Sequence, residues 1–181
     1  MADIDVHVLT CEHTVPSLLA RCLRSLEGQP VSVHVVDNAG YAVGHGRSVG
    51  YALGTAPFVS YIDCDDYALP GAYQGILSAM AEHRGIVARE NIQWECGHIL
   101  PRSFPGHAPV CYRREDVLPF VWAMAEADWC VDKLLRDALS PTQIPIVGQV
   151  RTTRLGSAKT NIRGHTFEQE KAQWQLTKMA Q

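Results

Sequence analysis

Three β-prone runs, each stopping at a polar residue, recur at nearly constant spacing in the first third of this chain. Asp5-Val6-His7-Val8-Leu9-Thr10 leads into Cys11-Glu12-His13, Val31-Ser32-Val33-His34-Val35-Val36 stops at Asp37-Asn38, and Phe58-Val59-Ser60-Tyr61-Ile62 stops at Asp63-Cys64-Asp65-Asp66. From Thr10 to Asp37 is 27 residues and from Asp37 to Asp63 is 26, the length of a strand, a crossover helix and a return strand. The segments between read as helices. Thr14 as cap and Pro16 in the first turn start one, Leu18, Leu19, Cys22, Leu23 and Leu26 share its apolar face, and Gly28 ends it. A glycine-rich loop (Gly40, Gly44, Gly46) leads into the next, with Val49, Ala52 and Leu53 inward and Gly54 closing it. The second run, rich in β-branched residues, reads as a parallel strand covered on both faces. The pattern predicts an α/β fold with a mostly parallel central sheet flanked by helices. It also sends the polar strand ends to one edge, where open α/β sheets take their ligands.

A chain of 181 residues is long enough for one domain with a sizeable core. Its 16 Lys and Arg against 19 Asp and Glu leave a net charge of −3, without the overall positive field of a dedicated nucleic-acid binder. No run approaches about 18 uninterrupted apolar residues, and the acidic start Met1-Ala2-Asp3-Ile4-Asp5 is unlike a signal peptide, so a cytoplasmic protein with no membrane span is expected. Six cysteines without a C-x-x-C pair predict reduced thiols rather than a zinc knuckle. Gly44, Gly46 and Gly50 neither spell G-x-G-x-x-G nor follow the first strand, which disfavours a dinucleotide site.

Further along, a third helix is expected from near Pro70 to about Arg84, with Tyr73, Ile76, Leu77 and Met80 on its apolar side. Beyond Gly85 the pattern loosens into strands joined by exposed loops, through Arg89-Glu90-Asn91, Trp94 and Pro101 to His107. Arg114 to Leu139 reads as two helices broken around Ala127-Asp128. Ile144-Pro145-Ile146-Val147 reads as an edge strand, because Pro145 cannot donate to a ladder. Arg151, Arg154, Lys159 and Arg163 form a basic tail, and Thr166 with Gln169 makes a capping box for a last helix over 166–181. The single domain thus divides into a half over 1–85, a half over 86–165, and that helix.

Asp63-x-Asp65 is the central chemical feature. Two carboxylates one residue apart on a turn can together hold a hard divalent cation and a ribose hydroxyl, and Mg²⁺ or Mn²⁺ prefers such oxygen ligands alongside substrate phosphates. Asp37, standing alone, would be an Asx turn ending its strand. His7 and His34, inside strands, are expected to be packed or hydrogen-bonded.

The motifs Leu9-Thr10-Cys11-Glu12, Leu23-x-Ser25-Leu26-x-x-Gln29, Val35-Val36-Asp37-Asn38, Gly46-Arg47-Ser48-Val49-Gly50, Tyr61-Ile62-Asp63-Cys64-Asp65-Asp66 and Leu69-Pro70 stand in the order and spacing of family 2 glycosyltransferases of the GT-A fold, which the chain resembles over about residues 5–82. A weaker likeness continues through Cys111-Tyr112-Arg113-Arg114, Ala127-Asp128-Trp129 and Arg163-Gly164-His165. The resemblance implies a metal-dependent, inverting glycosyltransferase that moves a sugar from a nucleotide-sugar donor, a UDP-sugar, to a hydroxyl acceptor, with 1–85 as its nucleotide-sugar-binding half and 86–165 as its acceptor and catalytic half. It implies that Thr10 and Glu12 line the nucleotide pocket, Asp37 bonds the nucleobase and Arg47 lies near the base or ribose. It further implies that Asp63 holds the ribose or metal side, Asp65 ligates the Mn²⁺ or Mg²⁺, His165 completes the metal shell and Asp128 is the base. Ser48 stands where the family usually has asparagine, and Ala127 breaks the usual Glu-Asp pair, so Glu126 and Asp132 compete with Asp128. Two alternatives stand beside this reading: transfer to modified bases of DNA, which the net charge disfavours, and a non-catalytic nucleotide-sugar binding module.

Overall fold

The computed structural model describes residues 3–94, 97, 99–127 and 131–153, with the side chains of 94, 100–108 and 153 left aside. Strand β1 (Ile4–Thr10) runs parallel between β2 (Val31–Asp37) and β3 (Phe58–Asp63), with Thr10 opposite Asp37 and Leu9 opposite Asp63. Helices α1 (Pro16–Leu26) and α2 (Val43–Ala52) make the two crossovers. The described chain continues as β4 (Tyr67–Ala68), α3 (Ala72–Met80), β5 (Gly85–Trp94), β6 (Ile99–Arg113), α4 (Arg114–Val117), a 3₁₀ turn (Leu118–Phe120), α5 (Val121–Ala125), α6 (Val131–Leu139) and β7 (Thr142–Thr153). The strands form one seven-stranded sheet in the order β2-β1-β3-β6-β5-β7-β4. The pairs β1·β2, β1·β3 and β5·β7 are parallel, whereas β3·β6, β5·β6 and β4·β7 are antiparallel. This is the expected α/β architecture, with a mixed second half.

Each face of the sheet carries its own core. Ile4, Val6 and Val8 of β1 pack with Cys22 and Leu26 of α1 and Tyr73, Ile76 and Met80 of α3 on one side. On the other, Tyr51, Val59, Tyr61, Val87, Val110 and Tyr112 pack with Val117, Met124, Val131 and Leu135 from the later helical segments. Removing these side chains from water supplies the main favourable term in folding.

Four expectations are corrected. The second strand is not doubly covered: β2 is the sheet edge, and Val33 and Val35 are exposed, so its β-branched run reflects strand preference and not burial. Gly44 and Gly46 lie inside α2 rather than in a loop before it. Val49, Ala52 and Leu53 face outward, and the inward face of α2 is Gly46, Arg47, Gly50 and Tyr51. The glycines permit this close approach. A Cβ on Gly50 would stand 2.3 Å from the His7 ring, one on Gly46 2.3 Å from Leu9 Cδ1, and one on Gly44 2.0 Å from the carbonyl oxygen of Ala127. Finally, β7 runs on past the expected edge segment: its later residues Gln149 and Val150 pair with β4, so the strand lies between β5 and β4, while the stretch around Pro145 pairs with β5 alone. Its register against β5 shifts between Val87, opposite Gln143, and Arg89, opposite Val147. Pro145 falls in that irregularity, where the ladder does not require its missing N–H.

The histidine expectations hold. His34 Nε2 lies 2.8 Å from Asp5 Oδ1, and His7 is buried edge-on to Tyr51 with ring centroids 4.6 Å apart. Burial first, and then the Arg47 charge, push the His7 pKa well below its ordinary 6.5. A base held neutral in the fold is protonated more readily when unfolded, so its contribution is intact above pH 6.5 and is lost as pH falls below it. Stability should therefore fall from this group with a slope that rises to about 1.4 kcal/mol per pH unit roughly a unit below that value. Urea melts at pH 7, 6 and 5 should show this slope in the native chain. A His7→Leu chain with the same acid slope would contradict the assignment.

Candidate functional site

The parallel register brings the ends of β1, β2 and β3 to one edge, as the sequence predicts. Thr10 Oγ1 donates to the Val36 carbonyl at 3.3 Å, and Asn38 N–H donates to the Thr10 carbonyl at 3.0 Å, so the first two strand ends are knitted together. Glu12 crosses from the loop after β1 to accept the Gly40 N–H. The backbone N–H groups of Glu12 itself and of Gly40 hold this exposed carboxyl below the usual carboxylate range. Asp37 Oδ1 accepts the Ala39 N–H at 3.0 Å, the Asx turn that a strand-ending aspartate makes on its own, while the residue stays exposed. The Asn38 side-chain amide donates to the carbonyls of Tyr41 and Ala42 at 3.0 and 3.2 Å, fixing the loop that enters α2.

Arg47 is the centre of the buried electrostatics. It is only 2% exposed, yet its Nη2 donates to Asp63 Oδ1 at 2.5 Å, its Nε lies 4.0 Å from Asp132 Oδ1, and its guanidinium stacks 3.5 Å from the Tyr61 ring centroid. Burial opposes the charge, but Asp63 and then Asp132 raise the pKa above the ordinary arginine value. The resemblance places this residue near the base or ribose. The fold places it beneath Asp63, because the glycines on either side let α2 sink onto the sheet. Ser48, standing in the usual asparagine position, is buried and donates to the His45 carbonyl at 2.7 Å.

The Asp63-x-Asp65 turn is closed by the Asp66 N–H donating to the Asp63 carbonyl at 3.0 Å. Arg21, on α1, clasps it from outside. One guanidinium donates to the Asp65 carbonyl at 2.9 Å, to Thr152 Oγ1 at 2.6 Å and to Gln93 Oε1 at 3.3 Å, and it lies 4.4 Å from the Tyr67 ring centroid. Asp66, 2% exposed, accepts the Thr152 N–H at 2.8 Å. Burial, and then the neighbouring Asp63 and Asp65, push its carboxyl well above the usual range. Gln149 reaches from Asp66 to the fully buried Glu90, donating at 3.4 Å to each, and Arg151 lies 3.7 Å from Glu90. Sequence reasoning missed Arg21, Asp66, Glu90, Gln149 and Thr152 as supports. Arg21 and Thr152 stand 131 positions apart, a separation at which no local pattern operates.

Of the base candidates, Glu126 is exposed, Asp132 sits in the first turn of α6 beside Arg47, and Asp128 lies outside the described residues. Of its described neighbours in sequence, Ala127 lies against Gly44 and Val131 is buried. His165, Arg154, Lys159, Arg163 and the expected last helix also lie outside the described residues, whereas Arg151 of the basic tail is in β7.

No family model and no curated protein sequence matches the chain. Its fold is similar to that of S. aureus TarS. The crystal structure of TarS 1-349 superposes with a TM-score of 0.64 at 15% identity, covering 83% of this chain and 60% of that one. The same fragment in complex with UDP-GlcNAc gives 0.66 at 16% identity, covering 86% and 60%. In complex with UDP it gives 0.65 at 16%, covering 83% and 60%. The chain thus spans about 60% of the TarS fragment, and 37% of the longer TarS chain. At this identity the likeness establishes the fold.

Proposed function

We propose that the chain transfers a glycosyl group from a nucleotide-sugar donor, a UDP-sugar, to a hydroxyl acceptor. The observation that carries this reading is the convergence of Thr10, Glu12, Asp37, Asp63 and Asp65 at one edge of three parallel strands. Support comes from the fold shared with TarS, a glycosyltransferase whose structures hold UDP-GlcNAc and UDP. Asp37, with Thr10 and Glu12 beside it, is assigned the nucleobase side of the pocket. Asp63 is assigned the ribose, and Arg47 acts on the donor through Asp63.

A divalent cation, Mg²⁺ or Mn²⁺, suits Asp65, because such ions are bound through one or two carboxylates and complete their shell with substrate phosphates and water. Among the described residues no three His, Cys, Asp or Glu side chains could hold an ion by themselves, so it would be shared with the donor diphosphate and with His165. When bound, the cation neutralises the diphosphate as it leaves. On the opposite side of the sugar, Asp128 is the proposed base, with Asp132 and Glu126 as its alternatives. The carboxylate takes the acceptor proton as that oxygen attacks the anomeric carbon and the bond to the diphosphate breaks, which inverts the configuration.

The test is incubation with a panel of sugar nucleotides, Mn²⁺ and a broad set of hydroxyl acceptors. Metal-dependent release of free nucleoside diphosphate is expected, with inverted anomeric configuration in the product. Tight donor binding with no release from any member of the panel would favour the non-catalytic binding module.

Arg21 gives a second check. Groups that orient metal ligands typically contribute about 10- to 100-fold to metal affinity. Arg21→Ala should therefore weaken UDP binding about tenfold in the presence of Mn²⁺ and leave metal-free binding unchanged, with partial recovery in Arg21→Lys. Calorimetric titration in both conditions reads the difference. Equal loss with and without metal would contradict the clasp.

A further inference from the structure

The residue between the two carboxylates of the Asp63-x-Asp65 turn is a cysteine, and a second cysteine, Cys11, follows the neighbouring strand β1. Thr14 links the two. Its hydroxyl lies 3.5 Å from Cys64 Sγ, points to Cys11 Sγ at 3.9 Å and accepts the Cys11 N–H at 2.8 Å. This is also why Thr14 does not cap α1, whose cap position is Val15. Both thiols therefore share one hydroxyl as neighbour. The two cysteines follow adjacent strand ends, since Leu9 pairs with Asp63 in the parallel register. The shared hydroxyl, in contact with both sulfurs, holds the two thiols on the same side of the turn, and closing the bond takes a movement of the turn to disulfide geometry. Cys11 is exposed and Cys64 half-buried, whereas Cys22 and Cys111 are buried in the core.

We propose that Cys11 and Cys64 are a disulfide-forming pair that closes across the carboxylate turn, making this edge of the sheet a site of oxidative modification. With a peroxide as oxidant, the Cys11 thiolate attacks one peroxide oxygen and the O–O bond breaks. Cys11 becomes a sulfenic acid, and the departing hydroxide takes up a proton and leaves as water. Cys64 sulfur then attacks the Cys11 sulfur, the displaced hydroxide takes the Cys64 thiol proton as a second water, and the S–S bond forms. Two thiols lose two electrons in all, and one peroxide is reduced to two waters. The link draws the Cys64 side chain from Thr14 toward Cys11 and fixes the turn between Asp63 and Asp65 in a new position.

Pair formation stands on the thiol geometry alone, while its effect on donor binding rests on the proposed role of Asp65. The two are read separately. Treating the full chain with one equivalent of hydrogen peroxide, blocking the remaining thiols and mapping its peptides should give a Cys11–Cys64 cross-linked peptide. The link should reverse with dithiothreitol and be absent in Cys11→Ser. The oxidised chain should bind UDP about tenfold more weakly than the reduced chain in the presence of Mn²⁺, as expected when a metal ligand is re-aimed. Oxidation of Cys11 to sulfinic acid with no cross-link, or its linkage to another cysteine instead, would overturn the pair. A cross-link that leaves Mn²⁺-dependent binding unchanged would overturn the predicted closing of the site and leave the pair standing.

Discussion

Replacing Arg47 with methionine should lower the midpoint of thermal unfolding by roughly 10 °C, the largest stability effect expected of any site residue. The guanidinium is nearly sealed from solvent, with its side chain 3% exposed, and it meets Asp63 at 2.5 Å and Asp132 at 4.0 Å while stacking on Tyr61. Methionine keeps much of the volume but leaves both carboxylates beside an apolar chain. Breaking a buried pair from one side costs about 3–5 kcal/mol. The lower end applies here, because Asp63 keeps a side-chain exposure of 32% and Asp132 of 24%. About 3 kcal/mol in a domain of this size is worth roughly 6–12 °C. Arg47→Lys should fall between the two chains, since a point charge restores the sign but not the fork or the stack. A shift below about 2 °C for the methionine chain would show that the bridge contributes little to stability.

Asp65→Ala should reduce UDP affinity in the presence of Mn²⁺ about a hundredfold and leave metal-free affinity nearly unchanged, because it removes the proposed protein ligand of the cation. Asp37→Ala should behave differently. It removes a carboxylate assigned to the base, and a hydrogen bond to a charged group contributes about 1.5–3 kcal/mol, so a loss of at least about tenfold is expected with or without metal. Both side chains lie at the sheet edge outside the core clusters, and circular dichroism of each variant checks that the fold is kept. Titration of UDP against the two chains, each with Mn²⁺ and with EDTA, separates the roles. Parallel losses in the two chains would contradict the division of labour.

The first half of the fold was legible because its signals are local. Each strand–helix–strand unit spans about 27 residues, and the strand ends meet as that spacing implies, Thr10 opposite Asp37 and Leu9 opposite Asp63. What misled was the reading of glycine. Gly44, Gly46 and Gly50 look like loop residues, yet they line a helix whose backbone is pressed against His7, Leu9 and Ala127. A helix that close to a sheet buries its small residues and turns Val49 and Leu53 outward, reversing the usual amphipathic rule. Pro145 marked an open stretch of ladder correctly, but not that β7 continues beyond it to pair with β4 at Gln149 and Val150. The carboxylates of the candidate site could be listed from sequence. Their supports could not, because Arg21, Asp66, Glu90 and the β7 pair Gln149 and Thr152 come from four separate elements or turns that only the sheet order brings together.

The central claim, that a nucleotide diphosphate binds at this sheet edge with a cation on Asp65, is tested most directly by a crystal structure of the chain with UDP and Mn²⁺, using anomalous scattering to locate the manganese. The expected result is an anomalous peak within ligand distance of an Asp65 carboxylate oxygen and of the diphosphate, with the uracil beside Asp37 and the ribose against Asp63. Manganese and UDP bound elsewhere on the chain, or UDP seated at this edge with the metal away from Asp65, would contradict it.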